Sequence, residues 1–262
     1  MGCKIFKHWY TPVVKLVRPI LCYLSIRRYR SGMTRLSIAK PIDELLGGGL
    51  ENGCITNFYG PSASGKTNVV ISAVVACVDS GKRVVFVDTE GSFSLERLEQ
   101  IGIKEVEHYT DRIVFLNPKD WREQKKSIRE VEDACKNEGI GLVVVDSISA
   151  LWRLTIDDEN YQIVNRELAT QLSILSKIAR DKNIPVLITN QVYDDIVSGR
   201  LEISAKNIVK WWSKNLIELM KAGQTSHRYA IIRKARSVEE DKQVEFKLTG
   251  KGIEKTSGIR LF

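Results

Sequence analysis

The segment GPSASGKT, residues 60–67, has the residue types and the spacing of a phosphate-binding loop. Gly60 and Gly65 let the backbone curl, so that successive N–H groups converge on phosphate oxygens. Lys66 supplies a positive charge to the β- and γ-phosphates, and the Thr67 hydroxyl suits Mg²⁺. The pattern can arise by chance in a loop rich in glycine and serine. Here, however, a strand-like run precedes it and a helix-like run follows, and this context favours a nucleotide site.

Two apolar runs that end in acids could complete such a site. Asp146 closes LVVVD (142–146), where a carboxylate can hold magnesium directly or through water. The alternative for Asp146 is an aspartate that only caps a strand end. The run DTEG (88–91) offers Asp88 and Glu90. A carboxylate at that point can orient and deprotonate an attacking water, so Glu90 is a candidate base.

The elements that must position these residues alternate between short apolar runs and helical patterns. We predict strands at 55–59, 83–88, 112–116, 142–146 and 184–190, and helices at 66–80, 95–101, 120–137 and 160–182. Fully apolar strands that alternate with helices indicate a mostly parallel sheet with helices on both faces. After Gln191 the pattern becomes an alternation of polar and apolar residues, which predicts antiparallel strands. The predicted fold class is therefore α/β, with an antiparallel extension at the C-terminal edge.

The net charge of +8 is concentrated near the beginning of the sequence. Residues 1–32 carry +7 and no acidic side chain, which leaves about +1 for residues 33–262. Charge alone therefore does not mark the larger part as binding nucleic acid. We expect residues 33–262 to form one domain. Residues 1–32 would be a non-native extension before a start at Met33, a basic arm for nucleic acid or a membrane-surface anchor; their apolar run is too short and too charged to span a membrane.

The cysteines and histidines give no sign of a metal or disulfide framework. The five cysteines show no C-x-x-C pair, and the three histidines form no ligand cluster. Structural zinc and disulfides are therefore not expected. Unpaired thiols are typical of a reducing compartment, so we expect a cytoplasmic protein.

Four ordered motifs resemble the RecA/RadA recombinase superfamily. They are SIAKPIDELLGGGLENGCITNFYGPSASGKT (37–67), VVFVDTEGSFSLERL (84–98), LVVVDSISALWRL (142–154) and LATQLSILSKIARDKNIPVLITNQV (168–192). The resemblance covers residues 36–253. VVVDSISALWR, IARDKNIPV, ITNQV and FKLTGKGIE are most similar to short archaeal members. The resemblance implies a RecA-like P-loop NTPase core that uses ATP and Mg²⁺.

The resemblance also implies roles for individual residues. The phosphate-holding loop would be Gly60, Pro61, Ser62, Ala63, Ser64, Gly65, Lys66 and Thr67. Thr67 and Asp146 would lie on the metal, and Glu90 would be the catalytic glutamate. Gln191 would sense the γ-phosphate and pass its state to DNA-binding loops; the alternative is an amide that satisfies a strand end. Arg97 would stack beside adenine, which suits a planar guanidinium, or would lie on a solvated helix face.

Two further basic residues, Lys234 and Arg236, fall near side chains that reach a neighbouring subunit's nucleotide in related ATPases. A charged surface strand explains these two residues almost as well.

The departures from the family bear on function. No helix-hairpin-helix domain precedes the core, and no F-x-x-A filament linker occurs in the sequence. The segment between Gln191 and the strand near Lys214 is short, whereas strand-exchange members carry two DNA-gripping loops in a longer region. Its aromatic and basic residues suit single-stranded DNA and are Tyr193, Arg200, Lys206, Lys210, Trp211 and Trp212. We expect at least one of the two tryptophans to pack instead.

These features imply an ATP-binding and DNA-binding accessory protein of homologous recombination and DNA repair, with a weak ATPase and no full strand exchange. The alternatives are a DNA-stimulated recombinase and a KaiC-like signalling switch that does not act on DNA. The implied partners are single-stranded or branched DNA and a RadA-type recombinase or a junction nuclease. No membrane partner is expected, and the sequence leaves open whether the protein forms a homo-oligomer.

Overall fold

The computed structural model describes residues 34–101, 103, 105–195, 200–223 and 226–256. The expectation for residues 1–32 lies outside these ranges. The side chains of Arg200 and Lys206, two of the expected DNA contacts, also lie outside the described part.

A ten-stranded sheet forms the centre of the described part, with a separate two-stranded ribbon. The strands are β1 (Arg35–Leu36), β2 (Leu50–Glu51), β3 (Ile55–Gly60), β4 (Arg83–Asp88), β5 (Ile113–Leu116), β6 (Ile140–Asp146), β7 (Val186–Asp195), β8 (Arg200–Ile203), β9 (Asn215–Lys221), β10 (His227–Lys234), β11 (Gln243–Thr249) and β12 (Gly252–Lys255). Six strands run parallel in the order β5-β4-β6-β7-β3-β9. Strands β10, β11 and β12 continue the sheet in antiparallel pairs, and β8 pairs with the end of β7.

Helices cover both faces of this sheet. They are α1 (Lys40–Leu46), α2 (Lys66–Asp79), α3 (Leu95–Gln100), α4 (Val106–Thr110), α5 (Trp121–Ala134), α6 (Ala150–Thr155), α7 (Tyr161–Lys182) and α8 (Lys206–Trp212). Asp120 is the N-cap of α5, because its carboxylate accepts the Glu123 N–H at 2.7 Å. Helix α7 ends at Lys182 and is followed by the C-cap Asn183, whose left-handed φ of 52° suits an asparagine. None of the helices in the described ranges is both long and apolar enough to cross a bilayer.

Each face of the sheet has its own hydrophobic core. Successive side chains of a strand point to opposite faces, so Val84 and Phe86 of β4 pack with α1 and α2. Val85 and Val87 pack with α5, α6, α7 and α8 on the other face. This burial on both sides explains why the central strands read as continuous apolar runs. The α/β architecture with an antiparallel C-terminal extension is therefore confirmed.

The segment after Gln191 contains a short antiparallel hairpin and a helix. Strand β7 continues to Asp195, β8 pairs back on it, and α8 follows. Trp212 packs into the core beneath α8, as expected for at least one of the two tryptophans. Trp211 is 77% exposed, so α8 presents this indole on its outer face.

Candidate nucleotide-binding site

Strand register brings the motif residues to one edge of the sheet. Gly60 at the end of β3 lies opposite Gln191 of β7, and Asp88 of β4 lies opposite Asp146 of β6. The carboxyl ends of parallel strands are the usual location of ligand sites in open α/β sheets. The predicted phosphate loop, metal acid and base therefore converge because their strands end together.

The loop between β3 and α2 has the backbone that its glycines allow. A Cβ on Gly60 would lie 2.2 Å from the Leu219 carbonyl oxygen, so no side chain fits there. Gly65 has a φ of 104° and is the N-cap of α2. The loop thus leads into a helix N-terminus, where free N–H groups and the helix dipole favour phosphate.

A cleft of about 560 Å³ lies over this loop. Its lining includes most of the predicted site: Gly60, Ser62, Ala63, Gly65, Lys66, Thr67, Glu90, Asp146 and Gln191. Of the two predicted loop residues that do not line the cleft, Ser64 is buried and Pro61 is half-buried. The cleft is large enough for a ligand of nucleotide size.

Lys66 bends back over the loop. Its Nζ donates to the carbonyl oxygens of Gly60 at 2.8 Å and Pro61 at 2.9 Å. Burial lowers the pKa of Lys66, while the nearby Glu90 and Asp146 act in the opposite direction. The ammonium group is therefore fixed within the loop at the point where a phosphate would approach.

Asp146 is held with its carboxylate buried, at 2% exposure. Thr189 Oγ1 donates to Oδ1, and Ser92 Oγ donates to Oδ2 at 2.8 Å. Burial raises the pKa of Asp146, with the two hydrogen bonds opposing it. A desolvated carboxylate in the same cleft as the Thr67 hydroxyl is an oxygen donor set that fits Mg²⁺.

The two acids of DTEG have different environments. The Asp88 carboxylate accepts the N–H groups of Glu90, Ser92 and Phe93 at 3.1–3.2 Å, and so shapes the turn. Glu90 points into the cleft, where its Oε1 accepts from Ser147 Oγ at 2.5 Å. Asp88 is therefore occupied in local structure, and Glu90 is the carboxylate available to a ligand.

Gln191 connects the cleft to the hairpin of β7 and β8. Its Nε2 donates to Glu90 Oε1 at 2.8 Å, and its carbonyl oxygen accepts the Ser204 N–H at 3.1 Å. The neighbouring Asn190 donates to the Ser204 carbonyl at 2.9 Å and accepts from Ser149 Oγ. Gln191 therefore joins Glu90 to the start of the segment that leads into α8.

Arg97 lies at the border of the cleft. Its guanidinium donates to Asn68 Oδ1 and to Gln100 Oε1, the latter at 2.9 Å. Asn68 follows Thr67 on α2 and lines the cleft. Arg97 therefore lies beside the cleft, but it is not among the residues that line it.

Lys234 and Arg236 both bond within the chain. Lys234 Nζ donates to the carbonyl oxygens of Lys210 and Ser213, at 2.7 and 2.8 Å, and so caps the end of α8. Arg236 Nη1 pairs at 2.9 Å with Glu51, whose carboxylate is fully buried. These contacts give both residues a structural use inside the chain.

Several cleft residues were not anticipated from the sequence. Arg228 and Leu248 come from the antiparallel strands β10 and β11 and line the cleft. The one signal in the sequence was the two-residue period of the strand, which places Arg228 on the same face as the buried Ala230 and Ile232. Ser92, Ser147 and Thr189, which bond the site's carboxylates, gave no separate signal.

Comparisons with known proteins identify the family. The chain matches the Rad51 family model over residues 30–256. It is 40% identical over 219 residues to a "DNA repair and recombination protein RadB" of Methanococcoides burtonii, covering 83% of this chain and 96% of that protein. The chain belongs to the Rad51/RecA family, in its RadB branch.

Further relatives agree with this assignment. A RadB of Methanothermobacter thermautotrophicus is 35% identical over 227 residues, covering 84% of this chain and 95% of that protein. A solved structure described as "Crystal structure of the RadB recombinase" matches with a TM-score of 0.73 and 34% identity, covering 85% of this chain and all of that one. The Rad51-family match contains every strand from β1 to β12, so the whole cleft lies inside it.

Proposed function

We propose that the protein is an ATP-binding and DNA-binding accessory protein of homologous recombination and DNA repair. It would hydrolyse ATP weakly and would not carry out full strand exchange. The observation that carries this proposal is the single cleft shared by Lys66, Thr67, Glu90, Asp146 and Gln191. The RadB relatives support the recombination and repair context.

In this proposal the backbone N–H groups of residues 62–67 bind the triphosphate, and Lys66 neutralises the β- and γ-phosphates. Thr67 and Asp146 hold Mg²⁺, which when bound neutralises charge on the phosphate oxygens. Glu90 orients the attacking water and accepts its proton at a carboxylate oxygen. Gln191, bonded to Glu90, responds to the γ-phosphate. Arg97, which bonds to the cleft residue Asn68, stacks beside the adenine.

We expect weak hydrolysis because, among the residues that the structure describes, no free positive side chain is assigned to stabilise the transition state. In related phosphoryl-transfer enzymes, an arginine finger stabilises the transition state and contributes about 10³–10⁵-fold. The two basic residues considered for that role here, Lys234 and Arg236, are bonded to groups of their own chain. The F-x-x-A linker that would bring in a neighbouring subunit is also absent from the sequence. The site therefore favours nucleotide binding over rapid turnover.

The surface proposed for DNA is the outer corner of α8. Trp211 is exposed there between exposed Lys210 and Lys214, and Trp212 anchors the helix in the core. Burial lowers the pKa of Lys234, and the positive charges of Lys214 and Lys210 lower it further, so these three cations are close together. An exposed indole among lysines suits stacking on a base with charge on the backbone. Single-stranded or branched DNA is thus the proposed nucleic-acid ligand.

A second function, an ATP-dependent switch without DNA, is favoured by the near-neutral charge of residues 33–262.

The proposed protein partners of the first function are a RadA-type recombinase or a junction nuclease, and a homo-oligomer is compatible with either function.

The test measures DNA affinity and ATP turnover together, on the full chain and on protein that begins at Met33. We expect single-stranded DNA affinity that falls with salt, slow turnover and at most a few-fold stimulation by DNA. Strong stimulation, on the order of 100-fold, would instead indicate a recombinase. ATP binding without any salt-dependent DNA affinity would favour the switch.

A further inference from the structure

Strands β9, β10 and β11 contact the phosphate loop at three successive points. The Leu219 carbonyl of β9 lies against Gly60, and the Leu248 side chain of β11 lies 3.3 Å from the position of a Cβ on Gly65. Between these two points, Arg228 of β10 bonds to the carbonyl oxygen of Ala63. The loop therefore rests on strands that belong to none of the four recognised motifs.

Arg228 makes the only polar side-chain contact among these three. It is 8% exposed, and its Nε donates to the Ala63 carbonyl at 3.0 Å. Its Nη1 donates to the His227 carbonyl at 2.7 Å, and the His227 ring lies 2.6 Å from Glu245 of β11. The planar guanidinium thus connects the loop to a backbone that is itself held in the sheet.

The loop needs such support at this residue. Ala63 has a φ of 60°, in the left-handed region that residues with a Cβ adopt only at a cost in free energy. Ser62 and Ala63 are exposed, so packing does little to hold them. The hydrogen bond from Arg228 to the Ala63 carbonyl helps to offset this cost.

We propose that Arg228 is a positioning residue that holds the phosphate loop in its nucleotide-accepting shape before the nucleotide arrives. This inference rests on the proposed nucleotide site and deepens it. The loop amides cradle the α- and β-phosphates, which ADP and ATP share. A loop that must become ordered during binding loses affinity for both nucleotides alike.

The test compares Arg228→Met and Arg228→Lys with wild type by calorimetric titration of ADP and of a non-hydrolysable ATP analogue, both with Mg²⁺. Fixing one or two loop residues costs enough to weaken binding about tenfold, and we expect this loss for both nucleotides. Hydrogen exchange is expected to rise at the amides of residues 62–66 and to stay unchanged in the central strands. The matched control is Arg233→Gln, which removes a cation from the same strand that pairs with Glu218 and Asp241 instead.

The outcomes separate the inference from the function on which it rests. A wild-type chain that binds neither nucleotide removes the proposed function itself. A wild-type chain that binds both, with equal affinity in the Arg228 variants, overturns only the positioning role. Loss confined to the ATP analogue would show a charge contact with the γ-phosphate and would also overturn it. Full recovery of both affinities in Arg228→Lys would show that the positive charge alone is sufficient, and would overturn the role of the guanidinium. If Arg228→Met loses its thermal transition, the lysine variant, which keeps the buried stem and the charge, decides the question alone.

Discussion

Replacing Glu90 by glutamine tests the proposed hydrolysis most directly. Oε1 of Glu90 accepts hydrogen bonds from Ser147 Oγ and from Gln191 Nε2. An amide oxygen can accept both bonds, so the substitution preserves the local geometry. What it removes is a carboxylate that can accept a proton from water. The change therefore isolates the chemical role of this residue from its structural one.

The size of the effect follows from that role. A positioned general base contributes about 10²–10⁴-fold to the rate, or about 2.7–5.4 kcal/mol of activation free energy. We expect ATP turnover to fall within this range. ATP affinity should stay within about threefold of wild type, because the loop amides, Lys66 and Thr67 are unchanged.

Because wild-type turnover is expected to be slow, the assay is a single turnover with enzyme in excess over radiolabelled ATP. Phosphate release is followed over hours, and ATP binding is measured separately by calorimetry. The control is Glu96→Gln, which makes the same chemical change on an exposed part of α3. Turnover in Glu90→Gln within about threefold of wild type would show that another group activates the water.

Three further predictions concern stability and the loop. Gly60→Ala should abolish nucleotide binding and lower the free energy of unfolding by several kcal/mol, because the new Cβ meets a carbonyl oxygen at 2.2 Å. The control Gly81→Ala has no heavy atom within 4 Å of its new Cβ and should cost only about 1–2 kcal/mol, from its φ of 81°. Denaturant unfolding measures both effects. Lys234→Met should destabilise the fold by about 1–3 kcal/mol through two lost bonds to carbonyls, with unchanged ADP affinity; an unchanged unfolding midpoint would argue against the cap. Burial opposes the shift, yet hydrogen bonds from Lys125 and an indole lower the pKa of Glu167 below its usual 4.5. The stabilisation from the ionised carboxylate is therefore complete above about pH 4.5 and is lost as pH falls through the lowered pKa. The difference in melting temperature between wild type and Glu167→Gln should accordingly shrink between pH 6 and pH 3. A difference that stays constant over this range would show that packing, and not charge, causes it.

Sequence patterns predicted the central elements well because burial there is complete. The run 83–88 is β4 with the same bounds, and Asp146 ends β6 as expected. Strands enclosed by helices on both faces have few alternatives to a continuous apolar run, so their pattern is unambiguous. The motif residues were predicted for a related reason, since each lies within a few residues of the end of one of these strands.

Helix α8 shows why other parts escaped prediction. Its sequence KNIVKWW is rich in β-branched and aromatic residues, which favour strands. It is helical because Val209 and Trp212 pack beneath it against α7 and the sheet. That choice depends on tertiary contacts, and a local pattern of seven residues does not contain them.

Long-range hydrogen bonds in the site escaped prediction for the same reason. Arg228 is 165 residues from Ala63 in the chain, and Lys234 is more than 20 residues from the carbonyls that it caps. Both arginine and lysine read as surface charges in an alternating strand. Only the pairing of β10 with β9 brings them to their partners.

In the proposed function, the same connections would let a slowly hydrolysed nucleotide control DNA binding. Gln191 bonds to Glu90 in the cleft and, through its carbonyl, to Ser204. Only Ser204 and Ala205 separate β8 from α8, whose outer corner carries the proposed DNA surface. A γ-phosphate that competes for Glu90 or Gln191 would act on a short, hydrogen-bonded path to Trp211. Coupling of this kind is a difference between binding free energies and is reciprocal, so DNA must tighten ATP binding by the factor by which ATP tightens DNA binding. Such a device requires occupancy of the cleft by ATP, and slow turnover lengthens the time for which that occupancy lasts.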